Sequence, residues 1–271
     1  MIKQAIIPLA GLGTRLLPLT SVFAKELLPI NGRPGIEYIL DECIEAGIKE
    51  IIFIISSKKL MIKKYFHSDQ YYKKIIKKKK DPRIINEHKK ILKYKKKIKF
   101  IFQNIPKGTG DAVLKTQKYI KNKYFLMLLP DDLIIKKNCS KAMIKVHQKY
   151  NASVMASMKV KKNNVSRWGI YKINKKLNNR NFIIDGVVEK PSERKAPSNN
   201  AVIGRYVLPR SIFNKIKSLK PKRGKEVHIT DAIQLLINDK ERFIAHNFEG
   251  KYLDCGTMNG YINSSIEIGK L

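Results

Sequence analysis

The chain has 271 residues, 43% of them hydrophobic, and carries a net charge of +34 from 56 Lys and Arg against 22 Asp and Glu. That length supports one large α/β domain, or a domain with an appendage, with a substantial core; no apolar run approaches the roughly 18 residues needed to cross a bilayer. Cys43, Cys139 and Cys255 stand far apart and form no CxxC pair, which excludes a disulfide framework and a zinc module.

The N-terminus enters a strand almost at once, with no small-residue cleavage site before it, so a cytoplasmic location is expected. The apolar run Ala5 to Ala10 breaks into Gly11-Leu12-Gly13-Thr14-Arg15. Glycines after a strand let backbone N–H groups close on an anion. Arg15, with Lys25 in Ala24-Lys25-Glu26-Leu27-Leu28-Pro29, brings two cations to the same mouth, an arrangement suited to a triphosphate. The loop is not a Walker A element, which ends Gly-Lys-Ser/Thr. Nor is it a dinucleotide fingerprint, because Leu16 stands where a third glycine is required.

Pro34 opens a predicted helix through Gly47, with Ile36, Ile39, Leu40, Cys43 and Ile44 at helical spacing. Ile51 to Ile55 reads as a buried parallel strand. Residues 68–97 are lysine-rich and read as peripheral helix and loop, and Ile98 to Phe102 returns to strand. Gln103 then precedes Lys107-Gly108-Thr109-Gly110, with a helix after Gly110. Tyr124 to Leu129 is another continuous apolar strand, ending in Pro130-Asp131-Asp132 where an open α/β sheet places its ligands. A helix over 138–150, strands near 152–159, 168–173, 183–189 and 200–207, and helices near 210–218 and 229–239 follow. Short strands around 242–254 and a final helix from Met258 to Lys270 complete an α/β alternation without internal repeats.

The surplus charge would suit a basic nucleic-acid-binding protein. However, Lys63-Lys64, Lys73-Lys74, Lys77 to Lys80 and Lys95 to Lys97 fall at expected surface positions beside abundant Ile, Asn and Tyr. The charge therefore reads as compositional drift, giving weak, salt-sensitive polyanion binding and no specific nucleic acid or membrane partner.

Taken in order, the opening segment, Gln103…Lys107-Gly108-Thr109-Gly110, Leu129-Pro130-Asp131-Asp132 and Val188-Glu189-Lys190-Pro191 resemble signature blocks of the sugar nucleotidyltransferases, the nucleotide-sugar pyrophosphorylases. Gly204-Arg205-Tyr206, Ile229-Thr230-Asp231-Ala232-Ile233 and Asp254-Cys255-Gly256 extend the resemblance, which runs over about 3–268 with a poorly matched stretch near 68–97. It implies a Rossmann-like nucleotidyltransferase fold, a mixed, mostly parallel central sheet flanked by helices with a small sugar-binding β subregion. It further implies a single domain with a nucleotide-binding half over about 1–135, a sugar-phosphate-binding half over about 136–256 and a C-terminal helix over 257–271. The implied reaction is attack of a sugar-1-phosphate oxygen on the α-phosphorus of a nucleoside triphosphate, with no covalent enzyme intermediate. The wording of the blocks implies UTP and glucose 1-phosphate as substrates.

By the same resemblance Arg15 and Lys25 are the catalytic cations, and Ala10, Gly11, Gly13, Thr14, Glu26, Gln103 and Gly108 bind the nucleotide. A side-chain amide such as Gln103 offers one donor and one acceptor face, which matches the uracil edge. Gly169, Glu189, Lys190 and Gly204 bind the sugar phosphate, with Val202, Arg205 and Tyr206 supporting the pocket. Asp131 and Asp254 hold Mg²⁺, and Asp132 is a neighbour rather than a ligand. Four positions depart from the family: Ala24 for Pro, Asp111 for His, Lys225 for an acidic residue and His228 for Gln. None removes a charge the reaction needs. A homo-oligomer, dimer or tetramer, is also implied, although relatives often carry a further helix beyond the position of Lys270. Two rivals share the fold. A thymidylyltransferase tends to carry Gln at the position of Glu26, and a weakly active regulatory paralogue is opposed by the retained charged residues.

Overall fold

The computed structural model of the chain describes residues 1–219 and 226–271, so Lys225 lies outside the described residues. The first strand, β1 (Gln4–Pro8), is followed by a two-stranded hairpin, β2 (Pro29–Ile30) with β3 (Arg33–Pro34). Helix α1 (Gly35–Glu45) starts after Pro34, buries Ile36, Ile39, Leu40 and Cys43, and ends ahead of Gly47, whose φ of 86° suits a residue without Cβ. After β4 (Glu50–Ile55) come α2 (Leu60–Phe66), α3 (Asp69–Lys79) and α4 (Pro82–Lys95). Asp81 caps α4 by accepting from the Arg83 amide, with Pro82 in the first turn. The lysine-rich stretch is thus two helices: α4 buries His88, Ile91 and Tyr94, whereas α3 buries nothing.

Next come β5 (Ile98–Phe102), α5 (Thr109–Leu114), β6 (Tyr124–Leu128), β7 (Asp132–Ile135) and α6 (Cys139–Tyr150). They are followed by β8 (Ser153–Lys159), β9 (Gly169–Lys176), β10 (Asn181–Glu189) and β11 (Asn200–Pro209). The chain closes with α7 (Ile212–Ser218), α8 (Ile229–Asn238), β12 (Phe243–Asn247), β13 (Lys251–Asp254) and α9 (Met258–Gly269).

Nine strands form one sheet in the order β5-β4-β1-β6-β11-β8-β12-β10-β9. The expected parallel character is found in β5-β4-β1-β6, all mutually parallel. The sheet is mixed, as expected, but less parallel than expected: beyond β6, β11 runs antiparallel to β6 and β8, β10 runs antiparallel to β12 and β9, and only β8–β12 is parallel. For β9 and β10 the cause lies in the connection. A parallel neighbour needs a crossover of a dozen or more residues, which helices supply in the first half. The short turn 177–180 between β9 and β10 permits only an antiparallel return.

Alternate residues of the central strands serve opposite faces. Ile6, Ile52 and Phe125 pack with Val113, Phe213 and Ile233 from α5, α7 and α8. Ile7, Phe53 and Leu126 pack with Ile39, Ile62, Ile91 and Met143 from α1, α2, α4 and α6. Both faces are covered, which is why these strands read as continuous apolar runs. Among the described residues, no helix is long and apolar enough to cross a membrane. A second small sheet, β7 against β13, brings Asp132 opposite Asp254.

Candidate active site

The segments leaving the C-terminal ends of β1 and β6 converge, as expected for the ligand crevice of a parallel sheet. In the first, Gly13 takes a φ of 71° and its carbonyl accepts from Thr20 Oγ1 at 2.9 Å, while Leu16 is buried. This turn leaves the Arg15 side chain 64% exposed. In the second, Asp131 follows β6. Its Oδ1 pairs with Lys25 Nζ and its Oδ2 lies 3.3 Å from Arg15 Nη2. Two expected cations and one expected carboxylate, distant in sequence, therefore meet. A Cβ on Gly256 would lie 2.9 Å from Arg15 Nη2 and 3.1 Å from Asp131 Oδ2, so the segment after β13 passes close against this trio.

A cavity of about 320 Å³ opens at the trio. Of the residues expected from sequence, Ala10, Gly11, Arg15, Lys25, Glu26, Gln103, Gly108 and Asp131 line it. Pro8, Pro106, Thr109, Ala112, Leu129, Pro130 and Asp132 line it as well. Gly13 and Thr14 shape the loop without lining the cavity, and Gly169, Glu189, Lys190, Gly204 and Asp254 lie outside its lining. Gly169 stands opposite Glu189 in the β9–β10 register, and a Cβ on it would lie 3.2 Å from Glu189 Oε2. Lys190 adopts a φ of 44° and its amide donates to the Trp168 carbonyl at 3.0 Å.

Asp254 is tied to the same corner by backbone. It pairs in register with Asp132, and the next amide, that of Cys255, donates to the Asp131 carbonyl at 2.7 Å. Its Oδ1 accepts from the Gly256 amide at 2.8 Å. Among the described residues no group of three or more His, Cys, Asp or Glu could hold a metal ion. The carboxylates of Asp131 and Asp254, on segments joined by backbone at this corner, are hard-oxygen donors of the kind that suits a cation completing its shell with phosphate oxygens and water.

Behind these groups lies a layer of buried polar support. Asp132 accepts from Tyr252 Oη at 2.7 Å and from the Gly204 amide at 2.8 Å, and its burial pushes the carboxyl up from the usual range. A Cβ on Gly204 would overlap that carboxylate and the Leu129 side chain. Arg205 is fully buried. It holds the Glu42 carboxylate at 2.9–3.1 Å and donates to the carbonyls of Leu129 at 3.1 Å, Gly204 at 3.0 Å and Asp132 at 2.6 Å. The two chain positions that flank Pro130-Asp131 are thereby fixed. Glu26 accepts at both oxygens from Lys59 Nζ, at 2.8 and 2.9 Å, although burial pushes its carboxyl up. Gln103 Nε2 donates to the Gly108 carbonyl at 3.2 Å and to Asp111 Oδ2 at 2.7 Å. The Cys255 thiol, pushed up to about 12 by burial, is not poised as a nucleophile.

Arg205 was expected as support, but Lys59, Glu42 and Tyr252 carry no local signal. Each acts through a partner at least 33 positions away in the chain.

A family model described as nucleotidyl transferase matches residues 4–270. A protein of Streptococcus pyogenes serotype M3 named UTP–glucose-1-phosphate uridylyltransferase 2 is 36% identical over 275 residues, covering 98% of this chain and 90% of that protein. A crystal structure of UDP-glucose pyrophosphorylase complexed with UDP-glucose matches at a TM-score of 0.86 and 35% identity, covering 100% of this chain and 99% of that one. The UTP-bound UGPase of Acinetobacter baumannii matches at a TM-score of 0.91 and 33% identity, covering 99% and 94%.

Proposed function

The chain belongs to the nucleotidyl transferase family, and we propose that it transfers the uridylyl group of UTP to α-D-glucose 1-phosphate, giving UDP-glucose and pyrophosphate. The observation that carries this reading is the pairing of Arg15 and Lys25 with one carboxylate, Asp131, in a cavity also lined by Gly11, Gln103 and Gly108. The names of the relatives support the choice of substrates.

The attacking phosphate oxygen of glucose 1-phosphate is already an anion, so no general base is required and no covalent enzyme intermediate forms. The barrier lies in joining two polyanions while charge moves onto the leaving pyrophosphate, which positioning and fixed cations lower. Asp131 keeps Arg15 and Lys25 together, and a triphosphate, carrying more charge than one carboxylate, draws both onto its oxygens. The backbone at Ala10 and Gly11 closes on the nucleotide, Gly13 and Thr14 shape the turn, and Gln103 with Gly108 faces the base. Glu189 accepts from glucose hydroxyls, Lys190 pairs with the sugar phosphate, and Gly169 and Gly204 let the chain come close. A divalent cation, Mg²⁺ in this reading, would be held by Asp131 and Asp254 and would neutralise phosphate charge. The elements through β7 then form the nucleotide half and those from α6 to β13 the sugar-phosphate half of one domain closed by α9, in a cytoplasmic homo-oligomer.

The test is to incubate the protein with Mg²⁺, glucose 1-phosphate and each nucleoside triphosphate in turn, and to measure pyrophosphate release. UTP should be preferred, and chelation of the metal should abolish turnover. Preference for dTTP would overturn the uridylyl assignment, and silence with every nucleotide would sink the enzymatic reading.

A further inference from the structure

We propose that Asp111 is a positioning residue that sets which nucleobase the cavity accepts, by fixing the orientation of the Gln103 amide. This rests on the uridylyl-transfer reading and deepens it. Gln103 is only 4% exposed, and its backbone amide is held by the Ile55 carbonyl at 2.8 Å, so the side chain departs from a fixed point. The terminal amide has two acceptors beside it, Asp111 Oδ2 at 2.7 Å and the Gly108 carbonyl at 3.2 Å. Neither a carboxylate nor a carbonyl can donate, so the group facing both must be the NH₂. An NH₂ has two hydrogens, and both are used.

What Gln103 retains is its Oε1. That oxygen has no protein donor among the described residues, and it is not among their buried, unpartnered side-chain atoms. The cavity therefore meets an acceptor at this position and no donor. The N3–H of uracil or thymine satisfies an acceptor. Cytosine presents a lone pair at N3, which an amide oxygen repels, so cytosine entry leaves two acceptors facing each other.

Asp111 is itself well placed for this task. It sits in the first turn of α5, whose start is pinned by Gly110 N to the Val227 carbonyl at 2.8 Å and by Thr109 Oγ1 accepting from Ile229 N at 3.1 Å. Lys115 Nζ lies 3.8 Å from the same Oδ2. Without Asp111, Gln103 keeps only the longer bond to Gly108. Its amide can then rotate, offering NH₂ to cytosine N3 as readily as Oε1 to uracil N3–H.

The test measures kcat/KM with UTP, CTP and dTTP for the wild type and for Asp111→Ala, Asp111→Leu and Asp111→Asn. Asp111→Ala and Asp111→Leu should lower the UTP:CTP ratio by on the order of tenfold, through a gain with CTP. The UTP:dTTP ratio should stay put, because both bases present N3–H. Asp111→Asn should lower the UTP:CTP ratio by less, since its amide can accept from Nε2 but can also donate to Oε1. Asp111→Leu fills the same space without an acceptor and so separates the hydrogen bond from packing. An unchanged UTP:CTP ratio in Asp111→Ala and Asp111→Leu would overturn the inference. An equal loss with all three nucleotides, the mark of a merely structural role, would do the same. A wild type silent with UTP would overturn the underlying function and this inference with it.

Discussion

Replacing Arg205 with methionine should cost about 4 kcal/mol of folding stability. Methionine nearly fills the space of the arginine, so the loss comes from stranded polar groups rather than from a cavity. Removing one member of a buried ion pair costs roughly 3–5 kcal/mol, because the other charge stays buried without its partner. Two features of the structure hold the figure near the middle of that range. Glu42 keeps the Ser140 amide at 3.0 Å and the Ser140 hydroxyl at 2.6 Å, and the Gly204 carbonyl keeps the Leu129 amide at 2.8 Å. Acting the other way, the Leu129 and Asp132 carbonyls lose their guanidinium donor. At roughly 2–4 °C per kcal/mol for a chain of this size, the midpoint of thermal unfolding should fall by about 8–16 °C. Urea unfolding followed by the fluorescence of Trp168, the single tryptophan, gives the free energy directly. Adding Glu42→Gln to Arg205→Met should recover part of the loss by removing the stranded charge. A single variant within about 1 kcal/mol of wild type, or a double variant whose two losses simply add, would refute the reasoning.

Two further outcomes are expected. Lys25→Gln should lower turnover with UTP by on the order of 10²–10³, read as pyrophosphate release; a loss under tenfold would remove Lys25 from the reacting phosphates. His246, whose Nδ1 lies 2.8 Å from Asn181 Oδ1, is held by burial at about 4 against an ordinary 6.5. Between those values the unfolded chain binds more protons than the native one, so this contribution is complete above about pH 6.5 and fades as pH falls toward 4. At ~1.36 kcal/mol per unit it amounts to roughly 3 kcal/mol. The difference between the wild-type and His246→Asn stability curves should carry that slope, and parallel curves would reject it.

The strands that are covered on both faces were the most legible, since Ile51 to Ile55 and Tyr124 to Leu129 need no alternation to mark them. Helix α1 was legible through its spacing and its flanking Pro34 and Gly47. Strand β7 was not, because Pro130-Asp131-Asp132 reads as a turn and its pairing partner, β13, lies 116 or more residues on in the chain. The resemblance implied a mixed sheet, but which far strands run antiparallel rests on pairings between strands distant in the chain, β11 on β6 and β8 and β10 on β12, which local pattern does not encode. At the candidate site, Arg15, Lys25 and Asp131 do come together, as the motif blocks suggested. The buried supports did not declare themselves. Lys59 looks in sequence like any of the surrounding lysines, and only its 8% exposure and its bond to Glu26 set it apart.

The small β7–β13 sheet has a consequence for chains cut short. The segment that delivers Asp254 and Gly256 is synthesised after all nine strands of the main sheet, and it pairs with a strand made long before it. The closure spans 116 to 122 positions, comparable with the 121 that separate the paired residues of β1 and β6 in the main sheet. A chain cut short before Lys251 would hold every strand of the large sheet and still lack one carboxylate of the proposed metal pair. In the proposed reading, nucleotide turnover then needs a segment that lies beyond the main sheet, so activity reports whether that C-terminal segment is in place.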